Sequence, residues 1–175
     1  MKMQLKSFLS TAAAVFIGLT LVSGAQADGH IKNKRVLTLD LAKKIADGCE
    51  AHYAKQTDWR PLNIAVVDDG GNLKVFRRMD NSFLMSIDIA LLKANTAAGL
   101  PFPTRMVGEL AFGKDGQPGL VPGIADIPGV AAFPGGLPIM TSDGQHIGAI
   151  GVSGATGDQD EECAQAGIDA VKDML

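Results

Sequence analysis

The residues most able to do chemistry lie in a stretch where basic, acidic and hydroxyl side chains alternate with short apolar segments. The candidate ligand-binding residues in it are Arg78, Asp80, Lys93, Thr104 and Arg105. Three cations near strand and helix ends can hold the carboxylates of a ligand, and an arginine does so through two parallel hydrogen bonds. The same stretch allows a structural alternative, in which salt bridges fix a helix to a sheet. That set comprises Arg78, Asp80, Asp88 and Lys93.

The three histidines are His30, His52 and His146, and they are too dispersed for the ligand spacing of a zinc site. A single imidazole can nevertheless ligate a haem iron, so His146 and His52 are the candidate metal ligands. The alternative is structural. It places His30 in a solvated leader, His52 at the flank of a helix and His146 at the exposed start of a strand.

Common catalytic signatures do not occur in the sequence. There is no GxSxG motif, and the run Gly151-Val152-Ser153-Gly154 lacks the lysine and hydroxyl residue of a phosphate-binding loop. The pair Asp68-Asp69 is better explained by a turn than by a metal site. The residues alone therefore assign no catalytic group and leave open whether the protein is an enzyme.

The N-terminus has the organisation of a cleavable export signal. Lys2 and Lys6 precede the uncharged run 8–22, and Ala25-Gln26-Ala27 supplies the small-x-small pattern of a cleavage site. The run is shorter than the ~20 residues of a membrane span, although an uncleaved anchor remains the alternative. We therefore expect a signal peptide at 1–27, a flexible leader at 28–36, and a periplasmic or secreted protein with no membrane segment after cleavage.

Charge argues against a nucleic-acid partner. The full chain carries a net charge of −3, and removal of residues 1–27 takes away two lysines and no acidic residue. Nucleic-acid binders are typically basic, with clustered Lys and Arg. The mature chain is acidic, so we expect no nucleic acid among its partners.

The first half of the mature chain predicts a helix, a hairpin and a second helix. Thr38 is a plausible N-cap, and apolar residues then recur at helical spacing as far as Tyr53. Two β-rich runs, 62–67 and 73–78, flank an Asp-Gly-Gly-Asn turn. A helix follows over about 83–98 and ends before two prolines.

The second half predicts a short helix, a loop, a hairpin and a final helix. Thr104 can cap a helix to about Ala111, and the Gly- and Pro-rich stretch 113–128 is typical of a long loop. Short apolar runs predict strands at 129–133 and 136–140 and a further strand at 146–152. Asp158 and Glu161 then have the spacing of a capping box. No alternating strand and helix rhythm occurs, so we expect an α+β domain with an antiparallel sheet, one face of which the terminal helices cover.

Several short motifs occur in an order that resembles the GlcG/HbpS-like family, whose members include extracellular haem-binding proteins. The resemblance covers roughly Leu37 to Val171, and each motif alone is weak. The motifs, in order, are 64–71, Phe76-Arg77-Arg78-Met79-Asp80, 86–97, Pro103-Thr104, 135–139, 147–154 and Gln159-Asp160-Glu161.

This resemblance implies a single domain over 37–175, with a central antiparallel sheet of about five strands flanked by helices in a profilin-like layered arrangement. It also implies a homo-oligomer. Some members bind haem or iron and are described as haem-degrading or redox-sensing. No single diagnostic motif carries their haem contacts, so the resemblance transfers no axial ligand to this chain.

Three functional hypotheses follow. In the first, the exported protein binds haem, with propionates held by Arg78, Lys93 and Arg105 and iron ligated by His146 or His52. In the second, the same cations bind a small carboxylate in a non-catalytic binding or accessory module. A third reading makes the oligomer itself a partner of another exported protein.

The two cysteines, Cys49 and Cys163, are an even pair in a chain expected to reach a disulfide-permissive compartment. Two buried, unbonded cysteines are the alternative. In the fold that the resemblance implies, the first and last helices cover the same face of the sheet. Antiparallel packing would then bring the two residues together, and we predict a disulfide between these helices.

Overall fold

The computed structural model describes residues 33–175. The predicted signal peptide at 1–27, the first part of the leader and His30 lie outside the described residues. Residues 34–36 form neither helix nor strand, and Lys34 pairs with Asp69 in the turn of the first hairpin.

Eight helices and strands follow in the described part of the chain, with one 3-10 turn at Pro122–Asp126 and another at Lys172–Met174. They are α1 (Leu39–Tyr53), β1 (Asn63–Asp68), β2 (Leu73–Arg78), α2 (Met85–Gly99), α3 (Thr104–Phe112), β3 (Gly136–Met140), β4 (His146–Ser153) and α4 (Gly157–Asp169).

Local side-chain chemistry explains how the first elements begin. Thr38 caps α1, because its hydroxyl accepts a hydrogen bond from the Leu41 amide at 3.2 Å. In the turn between β1 and β2, Asp68 accepts hydrogen bonds from the amides of Gly70 and Asn72. Gly71 adopts φ +77°, a left-handed conformation that glycine tolerates without steric cost.

The strands form one antiparallel sheet in the order β2-β1-β4-β3. The α+β class and the antiparallel sheet are confirmed, but the described residues contain four strands and not about five. The prediction of a strand at 129–133 is wrong. Gly129 has φ +89°, and the amide of Ala131 donates to the Thr96 hydroxyl of α2 at 2.8 Å, so this segment is tied to a helix side chain instead of a neighbouring strand.

Helices cover both faces of the sheet. On one face, α1 and α4 pack against branched side chains such as Ile64, Val66 and Ile150. On the other, α2 lies very close to the sheet over alanines and glycines. A Cβ on Gly151 would lie 2.1 Å from the carbonyl oxygen of Ala90, so only glycine allows this approach.

A disulfide joins the two terminal helices, as predicted. Cys49 of α1 and Cys163 of α4 are bonded, with their Cα atoms 4.7 Å apart. The helices approach closely at this point, since a Cβ on Gly167 would lie 2.6 Å from the Ile45 carbonyl oxygen.

Two helix starts differ from prediction. Thr104 is the first residue of α3 and does not cap it, because its buried hydroxyl accepts a hydrogen bond from the Gly136 amide at 2.9 Å. The capping box of α4 is formed by Thr156 and Gln159. This leaves the carboxylates of Asp158 and Glu161 outside the cap and available to Arg105 of α3.

Within residues 33–175, no helix combines the length and apolarity required to cross a membrane.

Candidate functional site: an apolar cleft beside α2 and α4

A cleft of about 520 Å³ opens between the start of α2, the β4–α4 connection and the segment around Phe133. We call it the α2–α4 cleft. Its volume is within the range of small-molecule and cofactor sites. The lining residues are Phe83, Leu84, Met85, Ser86, Ile89, Lys93, Phe133, Ser153, Gly154, Ala155, Gly157 and Asp160.

The mouth of the cleft is apolar and exposed. Phe83, Leu84 and Met85 are 54%, 77% and 65% exposed, and Phe133 on the facing segment is also exposed. The guanidinium of Arg60 lies 5.1 Å from the centre of the Phe83 ring and adds a positive charge beside the mouth. The mouth therefore offers apolar contact area with a cation at one side.

The floor of the cleft is a buried ion pair. The Lys93 ammonium, on a residue 1% exposed, donates to Asp160 Oδ2 and to the Val152 carbonyl oxygen, each at 2.8 Å. Asp160 Oδ1 accepts a hydrogen bond from the Ala155 amide at 3.1 Å. The ammonium also lies 5.2 Å from the centre of the Phe133 ring. One pair thus links α2, β4 and α4 directly beneath the apolar walls.

Burial acts on both members of this pair. It lowers the pKa of Lys93 and raises the pKa of Asp160, because desolvation disfavours each charged form, while the attraction between the two groups opposes both shifts. Burying such a pair costs desolvation free energy, and removing only one partner destabilises the protein further, because the other charge is then buried without compensation. Ionisable groups in a cleft whose pKa values are shifted by burial are also typical of functional sites.

Two serines add polar groups to the cleft. Ser86 is fully engaged, since its hydroxyl donates to the Phe83 carbonyl and accepts from the Asn63 side chain, each at 2.7 Å. Ser153 is 5% exposed and its hydroxyl has no hydrogen-bond partner in the described part of the chain. It is therefore a donor that only a ligand in the cleft or solvent can use.

Of the predicted ligand-binding residues, Lys93 alone lines the cleft. Arg78 and Asp80 are exposed at the end of β2 and in the turn that follows it. The predicted salt-bridge set is wrong for the described residues. Lys93 pairs with Asp160, and within residues 33–175 neither Arg78 nor Asp80 nor Asp88 is in an ion pair.

Thr104 and Arg105 form structural contacts outside the cleft. Thr104 is completely buried against Gly136 of β3. Arg105 donates to Glu161 at 2.8 Å and to Asp158 at 2.5 Å. These hydrogen bonds raise the pKa of Arg105, and two carboxylates already compensate its charge.

Neither candidate histidine lines the cleft. His52 lies in the last turn of α1, where its ring contacts Glu162 at 3.0 Å and Gln56 at 3.2 Å and packs near Trp59. His146 begins β4, at the opposite end of that strand from Ser153, and its Nε2 atom is buried without a partner among the described residues. Desolvation lowers the pKa of His146, so the ring favours its neutral form.

Sequence reasoning missed Asp160, Phe133 and Ser153 as lining residues. The available signal for Ser153 was its position at the end of a strand a few residues before the N-cap Thr156, because helix N-termini expose backbone donors to a ligand. The partnership of Lys93 with Asp160 has no local signal, since 67 residues separate them. In the described part of the chain, no group of three or more His, Cys, Asp or Glu side chains is arranged to hold a metal ion.

Comparison with known proteins identifies the family. Residues 37–169 match the family described as "Haem degrading protein HbpS-like". The chain belongs to the HbpS-like family. Protein GlcG of Escherichia coli K12 is 37% identical over 124 residues, which cover 70% of this chain and 85% of GlcG.

Solved structures with the HbpS-like fold support the same assignment. A double mutant of Streptomyces reticuli HbpS is 34% identical, with a TM-score of 0.70, over 87% of this chain and 98% of that one. The structure described as a PduOC:Heme complex is 25% identical, with a TM-score of 0.64, over 78% of this chain and 95% of that one. This family is therefore associated with haem through its description and through one ligand-bound structure.

Proposed function

We propose that this protein is an exported haem-binding protein and that the haem lies in the α2–α4 cleft. The observation that carries the proposal is an apolar cleft of about 520 Å³ with a cation at its floor, in a member of a family associated with haem. A role in haem degradation or redox sensing would extend this proposal. The residues that line the cleft do not by themselves point to either role.

The residues of the cleft fit a porphyrin in two respects. Phe83, Ile89 and Phe133 supply apolar walls for the faces of the macrocycle. Met85 places a thioether at the mouth, and methionine is an axial ligand in some haem proteins. The ammonium of Lys93 is the cation nearest the floor, where it can attract a propionate.

A haemin titration of the mature chain tests the proposal. We expect saturable binding at micromolar haemin, seen as a shifted and sharpened Soret band. Met85→Glu introduces a charge at the mouth and should weaken binding about tenfold or more, which corresponds to ~1.4 kcal/mol. Met106→Glu is the matched control, because Met106 is also an exposed helical methionine but does not line the cleft.

The histidine variants decide where the haem lies. His52→Ala and His146→Ala should leave the spectrum unchanged, because neither residue lines the cleft. Loss of the Soret band in either variant would show that the haem binds beside that histidine and not in the α2–α4 cleft. Absence of any saturable binding by the unmodified protein would overturn the proposal as a whole.

Export is the second part of the proposal. The Cys49–Cys163 disulfide supports it, since such bonds persist mainly in oxidising compartments. The protein recovered from periplasm or medium should begin at Asp28 by N-terminal sequencing. Recovery from the cytoplasm with residues 1–27 intact would contradict export.

A small carboxylate is the second candidate ligand. It is favoured by the unpartnered hydroxyl of Ser153 beside the Lys93 ammonium, because both are donors at the inner end of an otherwise apolar cleft. In that case haemin would not bind, and small acids would raise the melting temperature by mass action.

A further inference from the structure

We propose that the inner end of the α2–α4 cleft is a carboxylate subsite formed by the Ser153 hydroxyl, the first turn of α4 and the Lys93 ammonium. The inference rests on the proposed use of the cleft and specifies which chemical group of the ligand the inner end binds.

Ser153 supplies the first donor. It ends β4 opposite Asn63 of β1, and the Asn63 side chain contacts Ser86 of α2, so this row of the sheet faces α2 and the cleft. Ser153 is 95% buried, lines the cleft and has no hydrogen-bond partner within residues 33–175. Its Oγ is not among the enclosed polar atoms of the described residues, so the hydroxyl opens into the cleft, where a ligand acceptor can replace solvent as its partner.

The first turn of α4 supplies further donors. The capping box uses the amides of Thr156 and Gln159 and leaves the amides of Gly157 and Asp158 without an acceptor in the described chain. Gly157 lines the cleft. The N-terminus of a 13-residue helix carries partial positive charge, which favours an anionic group near these amides.

Lys93 completes the subsite at its floor. An ammonium has three N–H donors, and Val152 and Asp160 accept two of them. No side chain or carbonyl among residues 33–175 accepts the third, and the Phe133 ring, which lines the cleft, lies 5.2 Å from the ammonium. Asp160 compensates most of the charge, so the subsite selects its ligand through converging hydrogen-bond donors more than through net charge. A carboxylate matches this set because it is an acceptor at both oxygens.

Two sources could provide this carboxylate: a propionate of haem, or the acid group of a small apolar molecule. Haemin and its dimethyl ester distinguish the first source, since the ester retains the macrocycle but lacks free propionates. Benzoate and benzamide test the second source, because they share a ring but only benzoate carries a carboxylate.

The test compares the mature chain with Ser153→Ala and with Ser142→Ala, a control in which an exposed, partnered hydroxyl is removed. Ser153→Ala should fold as stably as the unmodified protein, measured by urea unfolding. It should weaken the binding of benzoate or of haemin about fivefold or more, and Ser142→Ala should change neither. Binding of the dimethyl ester should be weaker than that of haemin and insensitive to Ser153→Ala.

The outcomes separate the subsite from the haem proposal. Ser153-dependent benzoate binding without haemin binding supports the subsite and overturns haem binding. Haemin binding that matches dimethyl ester binding, and is unaffected by Ser153→Ala, supports haem binding and overturns the subsite. Equal binding of benzoate and benzamide, or no effect of Ser153→Ala on any ligand, also overturns the subsite.

Discussion

At the scale of residues, the Lys93–Asp160 pair connects the fold with the candidate site. It lies at the floor of the α2–α4 cleft and links helices from the two faces of the sheet through hydrogen bonds of 2.8 Å. A close glycine makes room for it, because a Cβ on Gly135 would lie 2.5 Å from the Lys93 ammonium. The pair is therefore both a structural link and part of the candidate site.

Breaking this pair on one side should destabilise the protein. Lys93→Met removes the ammonium and leaves the Asp160 carboxylate buried, so we expect a loss of ~3–5 kcal/mol in the free energy of unfolding, measured by urea titration. Lys114→Met is the control, since the Lys114–Glu109 pair is on the surface and should contribute nothing measurable.

A second variant keeps this prediction testable if the first one unfolds. Lys93→Met combined with Asp160→Leu removes both charges, and it should recover a substantial part of the lost stability. A Lys93→Met protein as stable as the unmodified one would show that Asp160 is not held as a buried charge.

At the scale of elements, the α1–α4 pair combines covalent and packing constraints. The Cys49–Cys163 bond joins positions 114 residues apart, and Gly48 and Gly167 let the helices approach closely. Cys163 lies one turn after Asp160 on α4, so the disulfide also anchors the helix that carries half of the buried pair. By contrast, α2 packs on the sheet mainly through small side chains and is tied to it by hydrogen bonds, from Lys93 to the Val152 carbonyl and from Asn63 to Ser86.

Removal of the disulfide should cost substantial stability. For the double variant Cys49→Ala/Cys163→Ala, a chain-entropy model gives a loss of roughly 4–5 kcal/mol, measured by urea unfolding. A reducing agent should lower the unfolding midpoint of the unmodified protein and leave the double variant unchanged. Thiol titration of the denatured, unreduced protein should detect no free thiol, and detection of two would refute the bond.

At the scale of the whole molecule, the surface of residues 33–175 carries an apolar area at the mouth of the cleft. Phe83, Leu84 and Met85 are exposed there in consecutive positions, and α2 has apolar residues around most of its circumference. Exposed apolar areas of this kind typically mark interaction sites. A second copy of the chain is the partner that the homo-oligomer prediction implies.

A charge in this area should weaken self-association. We expect the mature protein to sediment as an oligomer and Leu84→Asp to shift it towards the monomer, measured by analytical ultracentrifugation. Leu39→Asp is the control, because Leu39 is an exposed leucine at the start of α1, away from the cleft. A monomeric unmodified protein, or an oligomer that is unaffected by Leu84→Asp, would contradict the prediction.

The local elements of this protein could be read from its sequence because their signals are local. Thr38 caps a helix through its own side chain, and the Asp-Gly-Gly-Asn turn forms from residues that lie within hydrogen-bond reach of each other. The prediction of a strand at 129–133 was wrong because the amide of Ala131 donates its hydrogen bond to the Thr96 hydroxyl, and Thr96 is distant in the sequence.

The sequence by itself determined the antiparallel α+β class, the family and, through the family fold, the Cys49–Cys163 bond. Periodicity, turns and ordered motifs carry that information along the chain. Only the tertiary structure decided which charges are partners and which groups line the cleft. Lys93 pairs with Asp160, and Ser153 lines the cleft beside them. The reason is that the pairing of β1 with β4 and the packing of α2 and α4 bring together residues that are far apart in the sequence.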